Sequence, residues 1–220
     1  MIRGTFPRAA AITRQMRGAE RATAGDPADA DLMRRTAQGD RDAFALLYRR
    51  HHAIVYRFAR LMTGSISAAE DIVQEVFLVV MRDAGRYDAT RAALTTYLYG
   101  VARHQTRRRL ARDRHFVAFD GDGSEACPPV DDDPAAMIER RESVQRLRRA
   151  IVSLPRKYRE VIVLCDLQDV TYADAAAVLG CAIGTIRSRL YRARHLLGQK
   201  MAGAGASDED RQRLAMRCAV

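Results

Sequence analysis

Residues 171–199 read TYADAAAVLGCAIGTIRSRLYRARHLLGQ, two short helices around a tight corner. In the second, Ile186, Leu190, Ala193 and Leu197 recur at 4-3-4 spacing, one stripe of a helix. At about 100° per residue, the opposite face collects Gly184, Ser188, Tyr191, Arg192 and His195, flanked by Arg187, Arg189 and Arg194. No acidic residue lies between Gly180 and Met201. An amphipathic helix whose basic face has no local counter-charge suits a row of phosphates. In the first helix Thr171 is placed to cap, small Ala175 and Ala176 permit close approach, and Gly180 supplies the corner. The pattern predicts a helix–turn–helix whose second helix enters a major groove N-terminus first.

Outward from this stretch, charge organises the chain. Its 220 residues carry 37 basic and 27 acidic side chains, net +10, an excess that favours an anionic partner. Residues 31–114 hold 16 basic and 9 acidic side chains, and residues 139–201 hold 13 and 6, so each block is +7. Between them, residues 115–138 hold six acids and no Lys or Arg, with Gly, Ser and Pro, the composition of a linker. Two basic blocks joined by an acidic connector give the expected division: a mobile tail at 1–28, a domain at 29–114, a linker at 115–138, a second domain at 139–201, and a tail at 202–220.

Both blocks read as helical, so the fold class expected is all-α, two small helical domains on a flexible acidic linker. In the first block a short helix begins at Leu32 and Met33 and ends near Gly39. Asp40 caps a long helix with Phe44, Leu47, Tyr48, His51, Ile54, Val55 and Phe58 at three- and four-residue spacing. Gly64 stops it, and Ser67 with Glu70 makes an S-x-x-E capping box for the next. That helix buries Ile72, Val73, Val76, Phe77 and Val80 and leaves Asp71, Gln74, Glu75 and Leu78 on another side. A loop at 86–90 leads to a helix over about 92–114, ending in the basic run RRRLARDR. In the second block a helix ends before Leu154-Pro155, and Pro155 suits the first turn of the next.

Several function classes are excluded by what the chain lacks. Cys127, Cys165, Cys181 and Cys218 form neither a C-x-x-C pair nor a disulfide framework, which suits a reducing cytoplasm. No histidine has Cys or carboxylate partners at metal spacing, and there is no P-loop or nucleophile motif, so no catalytic residue, metal or cofactor is expected. No apolar run approaches the roughly 18 residues that span a membrane. On the residues alone, the chain reads as a protein that lays a basic recognition helix in a DNA groove.

Two motifs carry a resemblance. GTIRSRLYRAR (184–194), after TYADAAAVLG, resembles region 4 of the extracytoplasmic-function group of sigma-70 family RNA polymerase sigma factors. AEDIVQEVFLVVMR (69–82) and RYDATRAALTTYLYGVARH (86–104) resemble region 2 of the same group. The resemblance implies a dissociable promoter-specificity subunit. Region 2 would bind core RNA polymerase through Asp71, Gln74 and Glu75, the family's D-x-x-Q-E. It would take the melted −10 strand at Arg86, Tyr87 and Asp88 and, on the helix behind, at Tyr97, Arg103, His104, Arg107 and Arg108. Region 4 would read the −35 duplex through Tyr172, Thr185, Arg187, Ser188, Tyr191 and Arg192, while Arg189 and Arg194 hold phosphates or intramolecular acids. Tyr97 stands where the family commonly has Trp, Gly100 where it has Arg and His104 where it has Asn, so no −10 sequence carries over. Asp169 stands where Gly is frequent, and Asp tolerates the left-handed turn expected there. The resemblance also implies an anti-sigma partner and a path for the acidic linker through a cationic channel of the polymerase.

Overall fold

The computed structural model describes residues 28–113 and 134–203, and every regular element among them is helical. Residues 1–27, 114–133 and 204–220, and with them Cys127 and Cys218, lie outside the described residues. Eight α-helices follow in order: α1 (Asp29–Ala37), α2 (Arg41–Thr63), α3 (Ile66–Asp83), α4 (Leu94–Asp113), α5 (Pro134–Val152), α6 (Arg156–Ile162), α7 (Tyr172–Leu179) and α8 (Ile183–Gly203). A tight 3-10 turn (Ala84–Arg86) extends α3, and a widened π-type turn (Val163–Leu167) extends α6.

Local chemistry sets the boundaries. The Asp40 carboxylate accepts from the amides of Asp42 and Ala43 at 2.9 and 3.0 Å and starts α2. Gly64, at φ 80°, ends it. The capping box at Ser67 is not formed. Leaving the left-handed Gly64, the chain is extended at Ser65 (φ −115°, ψ 135°), and the Ser65 hydroxyl accepts from Ala68 N at 3.3 Å. Ser67 is already in the first turn. The helix opening at Pro134 takes in residues 134–138, which composition gave to the connector. Asp29 ties α1 to α2 through Arg50 (2.5 Å) and buried His51 (3.0 Å). Burial alone would raise the Asp29 pKa, but the bonds and charge of His51 and Arg50 outweigh it and hold the carboxyl below its usual range.

The two blocks do not stand apart. Phe58, Leu47, Leu98 and Tyr99 of the first block are continuous with Leu164, Ala175, Leu179, Ile186 and Leu190 of the second in one apolar core. Fully burying each large side chain stabilises by about 1.5–3 kcal/mol. Polar contacts line the same seam. Thr96 donates to Asp174 at 3.1 Å, Tyr99 to Gln168 at 3.0 Å, and Arg103 to the Val178 carbonyl at 3.1 Å. Half-buried Arg159 donates to the carbonyls of Met62 (2.6 Å) and Leu154 (3.0 Å) and to that of Val152, joining the C-terminal ends of α2 and α5.

Candidate nucleic-acid interface

The corner of the helix–turn–helix is built as its sequence predicts. Thr171 Oγ1 accepts from Asp174 N at 3.1 Å, Gly180 takes the left-handed conformation, and Asp169 does the same at φ 51° before the pair begins. Ile186, Leu190 and Ala193 are fully buried, which turns the opposite side of α8 outward. Arg187, Ser188, Tyr191 and Arg192 are exposed there, Tyr191 at 75%. Thr185 is half-buried at the first turn, its carbonyl accepting from the Ser188 hydroxyl at 3.1 Å. Arg192 hydrogen-bonds Tyr158, which holds that phenol below its usual range.

The arginines of α8 therefore differ in role. Arg194 grips Asp166 of the π-type turn with both Nε (2.9 Å) and a terminal nitrogen (2.6 Å). This bond raises Arg194 further above the usual guanidinium range, with Tyr172 adding to it. Arg194 thus braces α8 from below, and exposed Tyr172 sits beside that brace at the start of α7. Arg189 is half-buried, 4.0 Å from the Cys181 sulfur.

In the first block, Arg86, Tyr87, Asp88, Tyr97, His104 and Arg108 come together around a cleft of about 660 Å³. Tyr87 and Tyr97 pack ring against ring, centroids 5.5 Å apart. Burial raises both phenols above their usual range. The Tyr87 hydroxyl donates to the Ala92 carbonyl at 3.0 Å, and Asp88 accepts from Thr90 N and Oγ1 at 2.9 and 2.7 Å, so the loop is held in place. Those Thr90 bonds keep the Asp88 carboxyl below its usual range. A preformed aromatic floor edged by cations can stack an unpaired base and hold its phosphate.

Two of the residues assigned to the −10 strand lie outside the cleft. Arg103 does not line the cleft: it faces Glu160 at 3.4 Å and the Val178 carbonyl. Arg107 is exposed outside the cleft. Tyr99, one turn position from the cleft, is core, 3% exposed and packed on Phe58. Arg82 and Arg91 do line the cleft, though the sequence reading gave them no role, and Ala177 and Val178 of α7 form one wall.

Asp71, Gln74 and Glu75 lie together on the exposed side of α3, as the periodicity requires. Asp71 pairs with Arg109 of α4 at 2.5 Å. Beside them runs an apolar groove of about 520 Å³, lined by Phe44, Tyr48, Val73, Phe77, Leu78 and Met81, with Gln74 at its edge. The sequence reading placed Leu78 outward but did not single out the groove, because Tyr48 belonged to the same apolar spacing as the core. Among the described residues no cluster of His, Cys, Asp or Glu could hold a metal ion.

Comparison with known proteins gives concordant results. Residues 47–116 match the family model described as Sigma-70 region 2, and residues 144–197 match Sigma-70, region 4. The chain is 35% identical over 178 residues to the ECF RNA polymerase sigma factor SigM of Mycobacterium tuberculosis, covering 78% of this chain and 83% of that one. It is 31% identical over 185 residues to the ECF RNA polymerase sigma-E factor of Escherichia coli K12, covering 79% and 94%. In fold it is similar to CnrH in complex with the cytosolic domain of CnrY (TM-score 0.61, 24% identity, 82% of this chain and 100% of that one). It is likewise similar to the sigma factor RpoE of Bartonella quintana in complex with the anti-sigma factor NepR (TM-score 0.56, 24% identity, 74% and 98%).

Proposed function

The chain belongs to the sigma-70 family of RNA polymerase sigma factors, in its extracytoplasmic-function group, and we propose how its residues divide that family's work. It is an alternative sigma factor, which binds core RNA polymerase and directs initiation at particular promoters. The domain at 29–114 docks on polymerase through Asp71, Gln74 and Glu75 and receives a flipped −10 base over Tyr87 and Tyr97. Arg86, Arg108 and His104 hold the strand around it. The domain at 139–201 lays α8 in the −35 major groove, with Arg187, Ser188, Tyr191 and Arg192 toward the bases and Thr185 toward a phosphate. Exposed Tyr172 adds a backbone contact. The observation that carries this reading is the pairing of two unlike surfaces: an acid-free arginine face for duplex DNA, and a tyrosine-floored cleft for a single strand.

Run-off transcription with purified core polymerase, followed by start-site mapping, tests it. Initiation at defined starts is expected only with both proteins present. Binding to target duplexes undiminished without polymerase, with no transcript when it is added, would instead make the chain a free-standing regulator. We further propose control by an anti-sigma partner, supported by the complexes in which CnrH and RpoE of Bartonella quintana are described. Affinity purification from unstressed cells should return that partner in near-stoichiometric amount. No described helix is long and apolar enough to cross a membrane, and we place the protein's work in the cytoplasm with the polymerase.

A further inference from the structure

We infer that Asp29 is a positioning residue for strand capture: it clamps α1 to α2, and α1 so held seats the turn that presents Tyr87 to the unpaired −10 base. The role rests on the assignment of Tyr87 and Tyr97 to that base. Nine residues (Asp29–Ala37) are too few for a helix to stand alone in water, where about 12–15 are needed. Leu32 and Met33 are buried in the core, and the Thr36 hydroxyl donates to the Leu32 carbonyl at 2.8 Å. Those contacts fix the middle of α1, and charge fixes its N-terminal end. The Asp29 carboxylate lies 2.5 Å from an Arg50 nitrogen and 3.0 Å from Nε2 of buried His51. Asp31, on the same turn, pairs with Arg34 and Arg35 of α1 itself. Two acids thus open one helix; one pairs within it, and the other ties it to α2.

From α1 the position passes to the loop. The helix packs on the 3-10 turn (Ala84–Arg86) as well as on α2. Ala84 is buried, and a Cβ placed on Gly85 would lie 3.8 Å from the Ala37 Cβ, an ordinary contact distance, so the last turn of α1 lies directly against this turn. Tyr87 is the residue that follows, and its amide donates to the Ala84 carbonyl at 3.2 Å. A shift of α1 therefore reaches the Tyr87 backbone through a single turn of chain. The other end of α1 is close as well: burial raises the Tyr87 phenol and the Asp29 charge adds to it, so the carboxylate is within electrostatic reach of that ring. Tyr87 packs on Tyr97, so the two-ring floor takes its place from α1 on one side and α4 on the other. Asp29 does not line the cleft and acts through these neighbours. A binding site keeps its geometry to within about 0.5 Å only when such supporting contacts lock its side chains.

The test uses full-length protein with core polymerase and a labelled fork-junction DNA built from a promoter that start-site mapping returns, its −35 element duplex and its −10 non-template strand single. A second probe carries the −35 duplex alone. Asp29→Asn should weaken fork binding about tenfold, within the roughly 5- to 150-fold that losing a whole base–aromatic stack would cost, and leave the −35 probe unchanged. Asp31→Asn removes the same charge from the same turn without touching the clamp, and should bind both probes like wild type. Asp29→Glu, which keeps the carboxylate, should recover most of the loss. Hydrogen–deuterium exchange of the free protein should quicken over residues 29–37 and 84–87 in Asp29→Asn and stay unchanged in α8. Wild-type fork affinity in Asp29→Asn, an equal loss in Asp31→Asn, or an equal loss on the −35 probe would overturn the positioning role. If Asp29→Asn loses helical circular dichroism, Arg50→Lys decides, since it shortens the other arm of the clamp and should weaken binding of the fork alone. Tyr97→Ala is measured alongside. If it binds the fork like wild type, the assignment of the cleft to the strand falls and the role of Asp29 with it; if it weakens and Asp29→Asn does not, the positioning role alone falls.

Discussion

Single replacement of the α8 arginines by alanine should separate reading from bracing. Arg187 and Arg192 are exposed on the face opposite Ile186, Leu190 and Ala193, and no ion pair engages either among the described contacts. A guanidinium at a base edge contributes about 1–3 kcal/mol of discrimination, so each loss should cut −35-dependent initiation by roughly 5- to 150-fold. Stability should stay within about 0.5 kcal/mol, as for ordinary surface changes. Arg194 should behave in the opposite way. Its pair with Asp166 is bidentate, but Arg194 is 56% exposed, so screening limits its worth to about 1 kcal/mol. For a chain of this size that is a fall of roughly 2–4 °C in Tm. Quantitative run-off transcription and thermal melting by circular dichroism measure the two effects on the same preparations. Should Arg194→Ala lose as much transcript as Arg192→Ala while melting like wild type, the division of roles drawn from the Asp166 pair would be wrong.

Three further outcomes follow from the geometry. Gly64→Ala should destabilise by about 1–2 kcal/mol in urea denaturation, since φ is +80° and a Cβ would come 3.0 Å from Val152 Cγ1; an unchanged midpoint would contradict the close approach. Asp40 titrates below its usual value because Ala43 N and Arg35 favour the carboxylate, so its contribution is present at neutral pH and fades as pH falls below about 4 through the depressed folded value. Asp40→Asn keeps the cap without the charge, so the wild-type advantage in Tm should shrink from pH 7 to pH 2.5, and a constant gap would refute the sign. Tyr97→Ala should weaken capture of a single −10 strand by roughly 5- to 150-fold, the worth of one base–aromatic stack of about 1–3 kcal/mol, read as permanganate reactivity of promoter thymines in the polymerase complex. Wild-type reactivity would remove Tyr97 from the site.

What could be read from the sequence was local. The helix–turn–helix is specified within 29 consecutive residues by a stripe, a threonine cap and a glycine corner, and all three appear where the pattern put them. The misplaced cap shows the limit of this reading. Ser67 and Glu70 satisfy the capping pattern, but the conformation of Gly64 decides which serine precedes the first turn, and that is Ser65. Tyr97 and Tyr99 pose a similar problem. Both are aromatic on a helix of weak amphipathicity, and only packing against Phe58 shows that Tyr99 faces inward while Tyr97 meets Tyr87. Partners distant in the chain were not legible at all. Arg103 and Glu160 are 57 positions apart, and each has a sufficient local reading, one as a DNA contact and one as a solvated acid. The apolar groove beside Gln74 was hidden for a related reason: its residues belong to two helices, and neither stripe alone exceeds what a core requires.

Charge makes the packing of the two blocks on one another sensitive to salt in a direction that can be worked out. Each block carries +7, and domains of this length in contact have centres about 30 Å apart. Their repulsion is about 7 kcal/mol in unscreened water. At 10 mM salt the Debye length is about 30 Å and roughly 2.5 kcal/mol survives; at 150 mM it is about 8 Å and only about 0.2 kcal/mol remains. These are upper bounds, since the six acids of the connector oppose them. The shared apolar core is indifferent to such changes in ionic strength, so added salt should favour closure. Salt also weakens phosphate contacts by reducing the gain from counterion release. Both effects push the same way: raising salt closes the protein and loosens its grip on DNA. The radius of gyration of the free chain should therefore fall between 10 and 150 mM salt. A radius that grew with salt would show that repulsion between the blocks does not set the balance.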